Sequence, residues 1–282
     1  MNQDLIIGCS TNYTWDTIKY WVNSVNKCGF TGDKVLIMMN ADKDTMDKVV
    51  EAGFSVIGFN QDEDGNLVYE STLKVHVERF LHIFNHLNKV DYRYVITTDV
   101  KDVVFQRNPI DWLESNLDPY NKNQLVFSSE SMIYKDEPWG KQNLQETFGE
   151  YMYEYFKNSE IFNVGVLAGR GYAMKDLAIN IFLSSINRPI PIVDQSTFNV
   201  LVSMEPYKST SIYNASEDGW ACQLGTTVDP SKIEEFKPKL LEPSPTFANG
   251  KVYTSDGSKE YYIVHQYDRV PKWKAEIEKI YG

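Results

Sequence analysis

Short apolar runs alternate with amphipathic segments along the first sixty residues. The runs at 5–8, 35–39 and 54–59 have the length of buried strands, and the segments at 14–27 and 42–51 have helical periodicity. Strands that alternate with helices in this way form a parallel sheet with right-handed crossovers. The pattern therefore predicts an α/β fold with a mixed, mostly parallel sheet flanked by helices.

The rest of the chain continues this alternation less regularly. Residues 128–143 form a predicted irregular loop, and a loop of this length in a compact domain often carries function. No internal repeat or linker divides the sequence, so we expect a single domain over residues 1–282. The further predicted elements are strands at 94–96, 103–105, 124–127, 161–168 and 261–264, and helices at 71–87, 110–116, 144–156, 172–186 and 194–202, with a terminal helix after 269.

Composition narrows the class of protein. The net charge of −11 argues against a nucleic-acid partner, because binding to nucleic-acid phosphates needs a basic face. The three cysteines are an odd number, imply no disulfide framework and favour a reducing compartment. The first ten residues lack the pattern of a signal peptide, and no apolar run has the length of a membrane span. We therefore expect a soluble, cytoplasmic protein without a transmembrane segment.

Two carboxylates follow the predicted strand at 94–96. Asp99 and Asp102 stand close together in the sequence, with Lys101 between them. In open α/β sheets, ligands bind outside the carboxyl ends of the strands, and paired carboxylates there suit Mg²⁺ or Mn²⁺ on a substrate's phosphates. A solvated loop after a strand would carry the same residues, so this stretch alone leaves both interpretations open.

Other residues of chemical interest lie within predicted elements or at their ends. They are Arg79 beside the apolar face of a helix, Asn163 and Gly165 within a strand, Asp194 and Gln195 at the start of a helix, and His265 at the end of the late strand. Each has an ordinary structural alternative. Arg79 could form a surface salt bridge, Asp194 could cap its helix, and His265 could be a buried structural histidine.

In their order and spacing, these pieces resemble nucleotide-sugar glycosyltransferases of the GT-A fold, most closely the family 8 type, over about residues 5–270. The resemblance implies a Rossmann-type sheet. It also implies that Asp99, Asp102 and His265 hold Mn²⁺ or Mg²⁺ on the nucleotide diphosphate. We therefore expect a bacterial or virus-encoded enzyme that moves a sugar of the glucose, galactose or xylose type. The donor would be a UDP-sugar, and the acceptor a hydroxyl of a glycan or another molecule.

The resemblance also assigns donor and catalytic positions, in a nucleotide-sugar half over about 1–108 and an acceptor-side half over about 109–282. Family 8 implies retention of configuration, with Gln195 close to the anomeric carbon, and we favour this outcome. An inverting enzyme would need a carboxylate base, for which Glu130 and Asp194 are the candidates. The implied donor-binding residues are Ser10, Thr11, Asn12 and Tyr13 for the base and ribose, Arg79 and Asp99 for the diphosphate, and Asn163 and Gly165 with Asp194 and Gln195 for the sugar.

The sequence departs from the family 8 pattern at two places. The usual signature is Asp-x-Asp, whereas two residues separate Asp99 from Asp102. Either the loop bulges or only one aspartate contacts the metal. The late His265 is not followed by the usual Gly- and Lys-bearing tail, so the phosphate-binding lysine is unassigned, with Arg269 or Lys272 as replacements.

Three other kinds of protein share parts of this pattern. A sugar-phosphate nucleotidyltransferase would carry a basic Gly-rich loop after the first strand, where residues 10–13 read Ser-Thr-Asn-Tyr instead. A phosphatase with an aspartate nucleophile would carry its two aspartates at positions i and i+2, whereas Asp99 and Asp102 stand at i and i+3. A non-catalytic module that binds a nucleotide sugar would need neither the metal pair nor Asp194 and Gln195. The nucleotidyltransferase and the binding module remain the alternatives.

Overall fold

The structure is a computed structural model that describes residues 3–117 and 122–282. Its strands are β1 (Leu5–Ser10), β2 (Asp33–Met38), β3 (Ser55–Ile57), β4 (Asn60–Gln61), β5 (Leu67–Val68), β6 (Tyr94–Thr98), β7 (Val103–Phe105), β8 (Leu125–Ile133), β9 (Glu160–Phe162), β10 (Val166–Arg170), β11 (Ser211–Asn214), β12 (Ala221–Gln223), β13 (Thr246–Ala248), β14 (Lys251–Tyr253) and β15 (Ile263–His265). Its α-helices are α1 (Trp15–Lys27), α2 (Lys43–Glu51), α3 (Val75–Leu87), α4 (Pro109–Asn116), α5 (Pro138–Phe148), α6 (Glu150–Phe156), α7 (Gly171–Ser185), α8 (Asp194–Val202), α9 (Tyr207–Thr210), α10 (Leu224–Thr227), α11 (Ile233–Phe236) and α12 (Pro271–Tyr281). Among these residues, no helix combines the length and the apolar character needed to cross a bilayer.

A large central sheet organises the molecule. Its strands lie in the order β11-β8-β10-β6-β1-β2-β3, and β9 pairs with β8. Strands β3, β2, β1 and β6 run parallel to one another, whereas β10 is antiparallel to both of its neighbours. The predicted α/β fold, with a mostly parallel sheet flanked by helices, is confirmed.

The central strands are buried on both faces because their side chains alternate between two hydrophobic clusters. Ile6 and Ile96 pack on one side of the sheet with residues of α1. Ile7 and Val95 pack on the other side with residues of α3. Each buried aliphatic side chain contributes about 1.5–3 kcal/mol relative to exposure. This burial holds the ends of β1 and β6 in place, and with them the polar residues that follow.

A second sheet of three strands, in the order β12-β15-β7, connects the loop after β6 to the C-terminal part of the chain. Its register places His265 opposite Val103 on one side and opposite Gln223 on the other. Residues directly opposite each other on neighbouring strands have side chains on the same face. The register therefore brings His265 to the loop that carries Asp99 and Asp102. The strand predicted at 261–264 lies here, shifted toward the C-terminus.

The prediction of an irregular loop at 128–143 is wrong. Strand β8 continues through this region to Ile133, and α5 begins at Pro138. Ser128, Ser129 and Ser131 break the apolar pattern but are buried. The hydroxyls of Ser128 and Ser129 have partners from distant parts of the chain. The side-chain amide of Gln223 donates to Ser128, and Ser129 donates to the carboxylate of Glu160.

Two other predicted elements are each divided into two. The strand predicted at 161–168 is β9 and β10, separated by three residues that line the site described below. The helix predicted at 144–156 is α5 and α6, which meet at Gly149. Gly149 has a φ of 85°, a conformation that side chains disfavour and glycine adopts freely. The helix predicted at 71–87 begins later, at Val75.

Candidate active site

A cavity of about 580 Å³ lies at the carboxyl ends of β1 and β6. Of the predicted site residues, Ser10 is buried in β1 and Asn12 is exposed, and neither lines the cavity. Both predicted halves of the chain contribute to its walls, and their division near residue 108 stays a prediction. The predicted residues that line it are Thr11, Tyr13, Arg79, Asp99, Asp102, Glu130, Asn163, Gly165, Asp194, Gln195 and His265.

Asp99, Asp102 and His265 form a group that could hold a metal ion, with one ligand atom of each lying within 4.8 Å of the others. The Nε2 atom of His265 lies 3.5 Å from Asp99 Oδ2 and 3.5 Å from Asp102 Oδ1. These distances are long for hydrogen bonds. Two carboxylate oxygens and one imidazole nitrogen form a donor set that suits Mn²⁺ or Mg²⁺. Both aspartates belong to this group, although two residues separate them in the sequence.

The other nitrogen of His265 has a defined partner. Nδ1 of His265 lies 2.7 Å from Oε1 of Gln223, whose Nε2 atom donates to Ser128 Oγ at 2.9 Å. Because a glutamine oxygen only accepts hydrogen bonds, Nδ1 carries a proton and donates a hydrogen bond to Gln223. In the neutral ring, Nε2 then presents its lone pair toward the aspartates. Histidines that ligate metals usually donate their second N–H in this manner, so the contacts fit a metal ligand.

Charge outweighs burial in this group. Burial lowers the pKa of His265, but the carboxylates of Asp102 and Asp99 raise it to about 10. Burial raises the pKa of Asp99, but the Arg79 guanidinium and His265 hold it well below its usual range. A cation that binds at Nε2 must displace a proton from His265. Metal binding is therefore expected to weaken as the pH falls.

Arg79 is a buried link between two carboxylates. It extends from α3 and is 8% exposed. Its Nη1 atom donates to Asp99 Oδ1, and its Nη2 atom donates to Asp194 Oδ2 at 3.0 Å. The surface salt bridge considered for Arg79 is therefore not what the structure shows. Nor does Asp194 cap its helix, since the cap residue of α8 is Val193 and no side-chain cap bond forms.

A second network surrounds Glu130. Its Oε1 atom accepts hydrogen bonds from Asn163 Nδ2 and from Gln195 Nε2, each at 2.7 Å. The amide oxygens of these two residues accept from the backbone, Gln195 from Val164 N at 2.8 Å and Asn163 from Gly165 N at 2.7 Å. Burial raises the pKa of the Glu130 carboxyl. The network holds the link between β9 and β10 against the metal-binding group.

Gly165 lies where this link approaches the metal-binding group most closely. A Cβ atom at this position would lie 2.5 Å from His265 Cε1, 2.8 Å from Asn163 Oδ1 and 2.9 Å from Asp99 Oδ2. Atoms do not approach this closely without displacement, so the position requires a residue without a side chain.

Several basic residues line the cavity. Of the two predicted replacements for the phosphate-binding lysine, Arg269 lines the cavity and Lys272 does not. Lys101 and Lys232 line it as well. Two residues of the site were not predicted from the sequence: Lys232, which precedes the four-residue helix α11, and Gln223 on the short strand β12. No local pattern marks either residue, because only the fold brings them to this site.

Comparison with known proteins identifies the fold. No protein-family model and no curated protein sequence matches this chain. Among solved structures, the apo WbbM bifunctional glycosyltransferase has a TM-score of 0.56 at 10% identity, covering 99% of this chain and 51% of its own. Apo mouse xyloside xylosyltransferase 1 has a TM-score of 0.52 at 10% identity, covering 93% and 97%. This chain therefore has the fold of GT-A-type glycosyltransferases, and it spans about half the length of WbbM.

A third structure, with a TM-score of 0.46, is too distant to carry an argument. It is glucosyl-3-phosphoglycerate synthase from Mycobacterium tuberculosis in complex with Mn²⁺, UDP-glucose and phosphoglyceric acid, at 14% identity over 76% of this chain and 70% of its own. The likenesses support a GT-A fold without singling out family 8.

Proposed function

We propose that this protein is a metal-dependent glycosyltransferase that moves a sugar of the glucose, galactose or xylose type from a UDP-sugar to a hydroxyl group. The proposal depends on one observation above all. Asp99, Asp102 and His265 converge at the carboxyl edge of the sheet, inside a cavity of about 580 Å³. Small-molecule sites in proteins have volumes of about 300–1,000 Å³, and this cavity falls within that range. The names of the two structural neighbours with TM-scores above 0.5, both glycosyltransferases, support the same reaction class.

In this proposal Asp99, Asp102 and His265 hold Mn²⁺, or Mg²⁺. The cation would neutralise the negative charge that builds on the leaving diphosphate. Arg79 keeps Asp99 ionised and oriented through a partly buried hydrogen bond. Lys232 and Arg269 line the same cavity, and we assign them to the phosphate oxygens.

The reacting sugar would lie beside Gln195 and Glu130. Asp194 is occupied by its bond to Arg79 and is 3% exposed, so we assign it a positioning role. The carboxylate of Glu130 is held by the amides of Asn163 and Gln195. Its negative charge there would stabilise the oxocarbenium-like transition state of sugar transfer. We propose retention of configuration, which proton NMR of the product's anomeric centre would test.

The test begins with binding. UDP together with Mn²⁺ is expected to raise the melting temperature, because a ligand that binds only the native state stabilises it. The chain is then incubated with UDP-glucose, UDP-galactose or UDP-xylose, and the release of UDP is measured with and without acceptors. We expect the wild type to release UDP from at least one donor. Excess EDTA should abolish this release, and added Mn²⁺ should restore it. The Asp102→Asn variant should release no UDP.

Each other result has a defined meaning. The absence of any melting shift at millimolar UDP, together with no release from any donor, would contradict the proposal. UDP binding without release, with every acceptor tested, would indicate the non-catalytic binding module. Release of pyrophosphate from a nucleoside triphosphate and a sugar phosphate would indicate the nucleotidyltransferase.

A further inference from the structure

Trp139 is a large aromatic side chain left open within the cavity. It is 50% exposed and lines the cavity, whereas Trp21 and Trp220 are fully buried in the core. Ile192, 37% exposed, lines the same cavity. An aromatic side chain that stays accessible inside a polar cavity offers an apolar surface to a ligand. None of the roles assigned above to the metal-binding group, Arg79 and Glu130 involves this apolar surface.

The backbone of Trp139 is held in place. It lies in the first turn of α5, where the Glu137 carboxylate caps the helix by accepting hydrogen bonds from the backbone amides of Trp139 and Gly140. Within the same helix, the Asn143 side chain donates to the backbone oxygen of Ile192 at 2.7 Å. Ile192 shortly precedes α8, which begins at Asp194. The aromatic surface and the start of α8 therefore belong to one connected unit.

Hydrogen bonds and a shared cavity wall connect the metal-binding group with Trp139. Gly165 touches the group on one side, and its amide bonds to Asn163, which in turn donates to Glu130. Glu130 and Glu137 both line the cavity. Glu137 then caps the turn that carries Trp139. If the diphosphate lies at the metal and the donor sugar at Glu130, Trp139 lies one step farther, where an acceptor would approach.

We propose that Trp139 and Ile192 form the acceptor subsite, and that it binds a neutral pyranose ring with one CH face stacked on the indole. The proposal rests on the glycosyltransferase function proposed above. A pyranose ring combines an apolar CH face with hydroxyl groups, and it matches an aromatic surface flanked by carboxylates and amides. The carboxylates of Glu130 and Glu137 disfavour an anionic acceptor, because like charges repel in a partly desolvated site.

The experiment measures sugar binding directly. Methyl β-glucoside, methyl β-galactoside and methyl β-xyloside are titrated in the presence of UDP and Mg²⁺, which is diamagnetic, and binding is followed by saturation-transfer difference NMR. We expect at least one glycoside to bind the wild type through its ring CH protons. Trp139→Ala should weaken this binding about tenfold, and Trp139→Phe, which keeps an aromatic face, should weaken it less. Tyr151→Ala removes an aromatic side chain that is 84% exposed and does not line the cavity, and it should leave binding unchanged.

UDP with Mn²⁺ separates failure of this proposal from failure of the function on which it rests. Trp139→Ala should keep the wild-type melting shift with UDP and Mn²⁺, and with an active donor it should raise the acceptor KM while leaving the donor KM unchanged. If the UDP shift persists but no glycoside binds the wild type, or Trp139→Ala binds as tightly as the wild type, the acceptor subsite is overturned and the glycosyltransferase function stands. If the wild type shows no UDP shift and no UDP release, the glycosyltransferase function itself fails.

Discussion

Replacing Gly165 with alanine should disable the metal-binding group without changing any ligand. Gly165 does not have the positive φ that would strain another residue, so alanine fits the backbone. The added Cβ would lie 2.5 Å from His265 Cε1. Two carbon atoms in contact are normally separated by about 3.5 Å, so the imidazole must move by about 1 Å.

A displacement of this size exceeds what a metal site tolerates. Distances between a metal and its ligands vary by about 0.2 Å, so a shift of about 1 Å removes His265 from the donor set. Loss of a residue that only supports a metal ligand weakens metal affinity by about 10- to 100-fold, and displacement of the ligand itself should weaken it at least as much. This corresponds to about 1.4–2.7 kcal/mol of binding free energy. Overpacking in addition lowers the free energy of unfolding by about 1–3 kcal/mol.

The assay is a Mn²⁺ titration followed by the EPR signal of free Mn²⁺, with urea unfolding measured in parallel. Gly58→Ala is the matched control, because its Cβ would lie 2.5 Å from Leu67 Cδ2 and neither residue lines the cavity. The control should lose comparable stability and keep the wild-type Mn²⁺ affinity. The reasoning is refuted if Gly165→Ala binds Mn²⁺ as tightly as the wild type, or if both variants lose the same affinity.

Two further predictions concern the polar networks. Gln223→Leu removes the acceptor for the Nδ1 proton of His265, so Mn²⁺ affinity by the same EPR titration should fall about tenfold, and an unchanged titration would count against the assigned tautomer. Glu130→Gln keeps the oxygen that accepts from Asn163 and Gln195 but removes the charge. Because burial raises the pKa of Glu130, the folded wild type retains a proton that its unfolded chain loses above the ordinary value of 4.5. The free energy of unfolding of the wild type should therefore fall relative to that of Glu130→Gln as the pH rises from about 4.5 to about 7.5. Urea unfolding at both pH values measures this difference, and a difference that does not change with pH would contradict the prediction.

Much of the sheet could be predicted because its signals are local. Strands β1, β2 and β6 each contain a continuous apolar run, and the helices between them repeat apolar residues at helical spacing. The position of Asp99 directly after β6 could also be predicted to face a ligand site, since ligands bind at the carboxyl ends of such strands. These inferences need only neighbouring residues and a general property of the fold.

The rest depended on residues that are far apart in the sequence. Arg79 bonds Asp194 across 115 positions, and His265 bonds Gln223 across 42, so no local pattern could reveal either partner. Ser128 and Ser129 of β8 were assigned to a loop because the hydrogen-bond partners that allow their hydroxyls to be buried, Gln223 and Glu160, are remote in the sequence. Trp139 lies in the segment 128–143 that was predicted to carry function, but no local pattern assigned it a role. Its accessibility inside the cavity arises from the packing of α5 beside α8, which only the folded chain brings about.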